Sequence, residues 1–268
     1  MGQIQVFCAV LALGLLVNAA PVLSESILKP GAAPNGDIIE GLSPIMREKW
    51  KPFRPSGMEL VDSPVRSGEQ ALRVELHAGD CGVEPSGWND CKHGNERVEL
   101  LSGRRWSEGS EVEVGWSMYI PNGFPSARWN GQKRPEMFLG QFHGINTGQL
   151  FAFFYGGWEP GSGGLNVKGP DGSKDFHGPF RSTVIPRSEL FERWNDIVVR
   201  VRWTSEANGY FSVWRNGKSI GDYRGPTLPN SKEKAYLKLG IYRLDTRPDA
   251  GVAVVYYDNV YSKGIETN

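Results

Sequence analysis

Three short stretches of this 268-residue chain place side chains that bind anions and exchange protons at every second position. In NERVEL, Asn95, Arg97 and Glu99 point one way while Val98 and Leu100 point the other. In EMFLGQFHG, Gln141 and His143 share a face, about 6–7 Å apart at the rise of a strand, with Phe142 turned away between them. In YLKLGIYR, Tyr236, Lys238, Gly240 and Tyr242 share a face, and Leu237, Leu239 and Ile241 take the opposite one. Each stretch therefore has a dry aliphatic face and a second face of Arg, Gln, His, Lys or Tyr. An imidazole changes charge near neutral pH, and guanidinium, ammonium and amide groups donate to anions. If the three strands are neighbours, the second faces join into a polar groove.

The same period of two runs along most of the chain. Leu72, Val74 and Leu76 alternate with Arg73, Glu75 and His77, and the alternation predicts further strands at 97–101, 111–120, 136–143, 150–155, 196–203, 210–215, 235–243 and 252–261. Asn216-Gly217, between VWR and KSI, predicts a two-residue hairpin turn. Helical periodicity is weak, with room for one turn in SELFERW. The 34 Gly and 18 Pro, beside 9 Trp, 9 Tyr and 12 Phe, are the usage of a β-rich protein with many turns. These signs predict an all-β fold, a sandwich or jelly roll of two antiparallel sheets with a concave groove, forming one domain over residues 25–268.

Charge and cysteines limit the setting. Thirty basic residues balance 30 acidic ones, so the chain lacks the basic excess of a nucleic-acid binder. The apolar run from Val6 to Val17 is shorter than the about 20 residues of a membrane span and ends in small residues. It reads as a secretory signal, residues 1–24, cleaved near Ser24; a buried strand or helix is the alternative. No later stretch could cross a bilayer, so the expected location is secreted or periplasmic and the expected state a monomer. Cys8 would leave with the signal. Cys81 and Cys91 then remain and are expected to form a disulfide. A zinc site with His77 or His93 is the alternative, without a second ligand pair at finger spacing.

Arg-x-Glu, Gln-x-His and Tyr-x-Lys-x-Gly-x-Tyr, in this order, resemble the three signature strands of the jelly-roll alginate lyases. DSPVRSGEQALRVELHAGD followed by NERVEL, and LKLGIYR with YYDNVY, are more similar still to the heparin lyase I-like and glucuronan lyase group. The resemblance covers Asp62 to Tyr261. It departs from alginate lyases where Asn95 and Glu96 precede the Arg and where Arg243 follows the last Tyr. Balanced charge further favours an unsulfated polyuronate.

The resemblance implies β-elimination on an acidic polysaccharide, with no cofactor. Gln141 and Arg97, with Asn95 as a third donor, would neutralise the substrate carboxylate, His143 would take the C5 proton, and Tyr242 would protonate the leaving O4 or serve as both base and acid. Lys238 and Arg243 would bind flanking carboxylates, and Trp88 would stack on a sugar ring. Glu99 is expected to hold Arg97 in place, and Tyr236, Tyr256 and Tyr257 to pack. His93 is the substitute base, ahead of His77 and His177. Asp258 and Asn259 could help hold a structural Ca²⁺. Two other classes remain: a carbohydrate-binding module, for which the polar face is only a sugar platform, and a glycoside hydrolase, whose paired carboxylates Glu111 and Glu113 do not supply.

Overall fold

The computed structural model describes residues 42–44, 57–81, 89–125, 137–156, 163–169, 180–244 and 251–265. The expected signal, residues 1–24, and residues 25–41 and 45–56, with Trp88 and His177, lie outside them. Fourteen strands are described: β1 (Leu42–Pro44), β2 (Met58–Val61), β3 (Ala71–Leu76), β4 (Asn95–Ser102), β5 (Glu111–Tyr119), β6 (Met137–Gly144), β7 (Gly148–Tyr155), β8 (Gly164–Gly169), β9 (Phe180–Pro186), β10 (Trp194–Arg202), β11 (Tyr210–Arg215), β12 (Lys218–Arg224), β13 (Ala235–Leu244) and β14 (Ala253–Gly264). No α-helix occurs among the described residues, and the expected turn near SELFERW is a 3-10 turn at Arg187–Glu189.

Two seven-stranded antiparallel sheets face each other. One runs β1-β4-β13-β6-β7-β8-β9 and the other β12-β11-β10-β5-β14-β3-β2. Their inner faces meet in one apolar cluster, where Trp116, Phe142, Phe151, Val199, Phe211, Leu239, Ile241 and Val255 are buried. Phe151 and Phe211 stack across the layer with ring centres 3.8 Å apart, and Trp116 meets Phe153 edge-on at 5.0 Å. The alternation is what allows this: each strand supplies aliphatic and aromatic side chains inward and polar ones outward. The Asn216-Gly217 turn has both residues at positive φ, 47° and 77°, and closes the β11–β12 hairpin as the sequence predicts. The fold is the expected jelly roll of two antiparallel sheets.

The three signature strands are neighbours, with β13 central between β4 and β6. The pairing of β13 with β4 is regular, but its pairing with β6 shifts register between Leu239 and Tyr242. Gly240 sits in that shift at φ 138°, a conformation side chains rarely adopt. A Cβ there would lie 2.3 Å from the Val98 carbonyl oxygen, so both the backbone angle and the close approach to β4 call for glycine. On β6, Leu139 is buried in the core and a Cβ on Gly140 would also meet core atoms, so two successive residues turn inward. Phe138 consequently emerges on the outer face.

Candidate active site

The outer face of β4, β13 and β6 carries the polar groups in cross-strand rows. Arg97 pairs with Tyr242, Glu99 with Gly240, Lys238 with Gln141, and Tyr236 with His143. Gly240 presents no side chain, and Glu99 reaches across that gap from β4 to β6. Gln141 donates through Nε2 to Glu99 Oε1 at 2.6 Å. Glu99 was expected to hold Arg97; it lies 3.5 Å from Arg97 Nη1 and holds Gln141 more closely. The stronger partner of Arg97 is Asp90, which accepts from Nη2 at 2.9 Å. Burial opposes the Arg97 charge, and Glu99 and Asp90 outweigh that cost.

Tyr242 rests on Arg97, whose guanidinium carbon is 4.0 Å from the ring centre. Its hydroxyl oxygen accepts from Asn95 Nδ2 at 2.9 Å, which leaves the phenolic proton to point elsewhere. Burial pushes the phenol above its ordinary pKa, and the Arg97 charge draws it partly back. On its other side Tyr242 stacks at 5.9 Å on Phe138, which groups with Ala152, Phe154 and Leu244 under the Lys168 ammonium.

His143 is held by its Nδ1. That atom lies 2.7 Å from the Gly144 carbonyl oxygen and 3.1 Å from the Tyr236 hydroxyl. A carbonyl only accepts, so Nδ1 carries the proton and Nε2 keeps its lone pair. Burial lowers the His143 pKa to about 3, with the Lys238 charge acting the same way and Arg97 adding to it. The imidazole is neutral at every pH near 7. The turn after it is anchored by the buried Glu233, whose carboxylate accepts from the backbone N–H of Asn146 and Lys234. Lys238 is buried beside Tyr236, its ammonium 5.8 Å from the ring centre.

Arg97, Gln141, His143, Tyr242, Asn95 and Lys238 are therefore brought to one face. Arg243 is not. It shares the inward parity of Leu239 and Ile241, is 4% exposed, donates through Nε to Glu96 at 2.7 Å and through Nη1 to Gly251 O at 2.9 Å. Glu96 also takes the Gly79 amide at 2.6 Å, so the pair ties two loops to the sheet end. Cys81 and Cys91 form a disulfide, with Cα atoms 5.4 Å apart. His93 closes the 3-10 turn Cys91–His93, and His77 pairs with Glu75. Asp258 accepts from the backbone N–H of Arg66 and Asn259, at 2.8 and 2.6 Å, and among the described residues no three His, Cys, Asp or Glu gather as a metal site. Alternation missed Asp90, which arrives from a turn. Lys168, in the alternating run GLNVKG, was open to the same reading as the other strands.

Such a face on such a sandwich defines a jelly-roll protein with a candidate catalytic surface, and the comparisons make the class specific. The endo-β-1,4-glucuronan lyase of the fungus Trichoderma reesei superposes with a TM-score of 0.56 at 15% identity, covering 80% of this chain and 91% of that one. A family 7 alginate lyase bound to its product superposes with a TM-score of 0.54 at 14% identity, over 80% of this chain and 85% of that one. The alginate lyase of Klebsiella pneumoniae gives 0.50 at 11%, over 79% and 86%. At these identities the likeness establishes the fold. No curated protein matches the chain by sequence. The polysaccharide lyase family model matches residues 39–261, and the chain belongs to that family: it is a polysaccharide lyase.

Proposed function

We propose that this enzyme is a secreted, endo-acting lyase that cleaves an unsulfated uronic-acid polymer of the glucuronan type by β-elimination. The observation that carries the reading is the neutral His143, fixed through Nδ1 with Nε2 available, on the same face as Gln141, Tyr242 and Arg97. The C5 proton of a uronate lies α to a carboxylate, so the negative charge already present opposes carbanion formation. Gln141 keeps one amide N–H for that carboxylate while the other is spent on Glu99, and Lys238 and Arg97 supply the positive field. Nε2 of His143 takes the proton; burial is the main reason the imidazole is neutral, and an anionic sugar offsets the Lys238 and Arg97 charges that add to it. The electron pair forms the C4–C5 double bond as the C4–O4 bond breaks, and Tyr242, its oxygen steadied by Asn95, gives its proton to O4. No metal enters these steps.

The balanced charge and the likeness to an endo-glucuronan lyase support the substrate class. Only elimination creates an unsaturated uronyl end, which absorbs in the ultraviolet. Digestion of glucuronan, alginate, hyaluronan and heparin should raise that absorbance fastest on glucuronan, with a rapid fall in chain length. Binding without any rise on the four polymers would make the polar face a sugar platform and refute the reading.

A further inference from the structure

We propose that Asp90 is a positioning residue for the elimination: its carboxylate fixes the Arg97 guanidinium on which Tyr242 rests, and the Cys81–Cys91 bridge fixes Asp90. The proposal rests on the lyase reading of this face given above. Arg97 is hydrogen-bonded at Nη2 by Asp90, faces Glu99 across 3.5 Å at Nη1 and lies against the Tyr242 ring. A directed bond at one edge and a carboxylate charge at the other orient a planar group, so the plane beneath Tyr242 follows from where the two carboxylates stand. Glu99 stands on β4 itself. Asp90 stands outside the strand, and its place must be set by something else.

That something is the turn and its bridge. Asp90 heads the 3-10 turn Cys91–His93, and its carbonyl oxygen accepts from His93 N at 3.0 Å and Asn95 N at 2.9 Å. Gly94 closes the turn in the left-handed region, φ 69°, and directs the chain into β4. The Asp80 carbonyl accepts from Arg97 N at 2.8 Å. Cys81 follows Asp80 and Cys91 follows Asp90, so one disulfide joins the neighbours of both groups that hold Arg97, one by its main chain and one by its side chain. The same turn delivers Asn95, which donates to the Tyr242 hydroxyl. Asp90 and Arg97 are 3% and 7% exposed, so the pair is shielded from water and its geometry is not that of a surface ion pair.

The charged groups facing Tyr242 are Arg97 and Glu99 from β4, Asp90 from the turn, and Lys168 of β8 above the adjoining Phe138. Asp90 and Glu99 both oppose ionisation of the phenol. Replacing Asp90 by Asn keeps an oxygen that accepts from Nη2 and removes a negative charge; replacing it by Ala removes both.

The test uses the mature protein with Asp90→Asn and Asp90→Ala, measuring kcat and KM on glucuronan and titrating the Tyr242 Cζ resonance in tyrosine-labelled protein, assigned by Tyr242→Phe. Asp90→Ala should lower kcat about 10- to 100-fold with KM little changed, the effect of a misplaced reacting group. Asp90→Asn should recover most of that loss and move the Tyr242 midpoint to lower pH. Native kcat in Asp90→Ala overturns the proposal. So do equal losses in both variants with an unmoved Tyr242 midpoint, which would make Asp90 a structural residue only. If the native protein is inactive on every polyuronate, the substrate reading fails by itself, and the midpoint in Asp90→Asn still decides whether Asp90 acts on Tyr242.

Discussion

Replacing Gly240 by alanine adds one methyl group at the register shift of β13. The methyl carbon would lie 2.3 Å from the Val98 carbonyl oxygen and 2.6 Å from Glu99 Cα, both backbone atoms of a central strand that cannot swing aside. A non-glycine residue at φ 138° costs about 1–3 kcal/mol, and forcing a methyl into a filled space adds about 1–3 kcal/mol, so the total is about 2–6 kcal/mol. At about 2–4 °C per kcal/mol for a domain of this size, melting should fall by about 4–24 °C. The methyl must also push away the β4 backbone that carries Glu99 and Arg97, so the protein that remains folded should show kcat reduced about tenfold or more. Calorimetry and initial rates below the shifted transition separate the two effects. Gly264→Ala, at a strand end with nothing within 4 Å, is the control and should match the native protein. A Gly240→Ala enzyme that melts with the native protein at full kcat would refute the account of the shift.

Four further outcomes follow from the site. His143→Ala and Tyr242→Phe should each lower turnover about 10²–10⁴-fold, the worth of one general acid or base, with melting almost unchanged; activity above a tenth in both would remove them from the mechanism. Because His143 has a folded pKa of about 3 against an ordinary 6.5, the unfolded chain binds its proton first: the stability it contributes is present above pH 6.5 and is lost as pH falls from there towards 3, a slope His143→Gln should flatten in acid-titrated melts. For the same reason kcat/KM should show no acid limb near 6.5 that belongs to His143. Cys81→Ser with Cys91→Ser opens a ring of sequence separation 10 and should cost about 2–3 kcal/mol in denaturant titration, with the kinetic loss falling on kcat through Asp90 and Arg97.

Much of this site was legible because a strand's period is two. Gln141 and His143 had to share a face, and three such faces became one site once β4, β13 and β6 were neighbours. The same rule places Arg243 inward with Leu239 and Ile241; its charge argued for the groove, but Glu96 also has inward parity and gives it a buried partner. Phe138 was not legible, since the extra inward residue on β6 breaks the alternation that would place it in the main core, and it is buried in the outer cluster with Ala152 and Phe154. Asp90 reaches Arg97 from a 3-10 turn, where no two-residue period applies. The strands β8 and β9 at the far end of the same sheet were not predicted, although their runs are as long as those of β3 and β11.

Tyr257 was read as a packing residue. It stands on β14 in the opposite sheet, fully buried, and its hydroxyl lies 2.5 Å from the Leu139 carbonyl and 3.0 Å from the Gly240 carbonyl, the two backbone oxygens flanking the register shift under the polar face. A volume-conserving change such as Tyr257→Phe is the kind a thermostability programme tries in the interior. In this enzyme it would remove the one hydroxyl proton that the two carbonyls share and loosen the joint between Lys238 and Tyr242. The sheet opposite the candidate site thus helps to set the backbone on which that site is built, and an engineer should leave this interior hydroxyl alone as surely as the polar face.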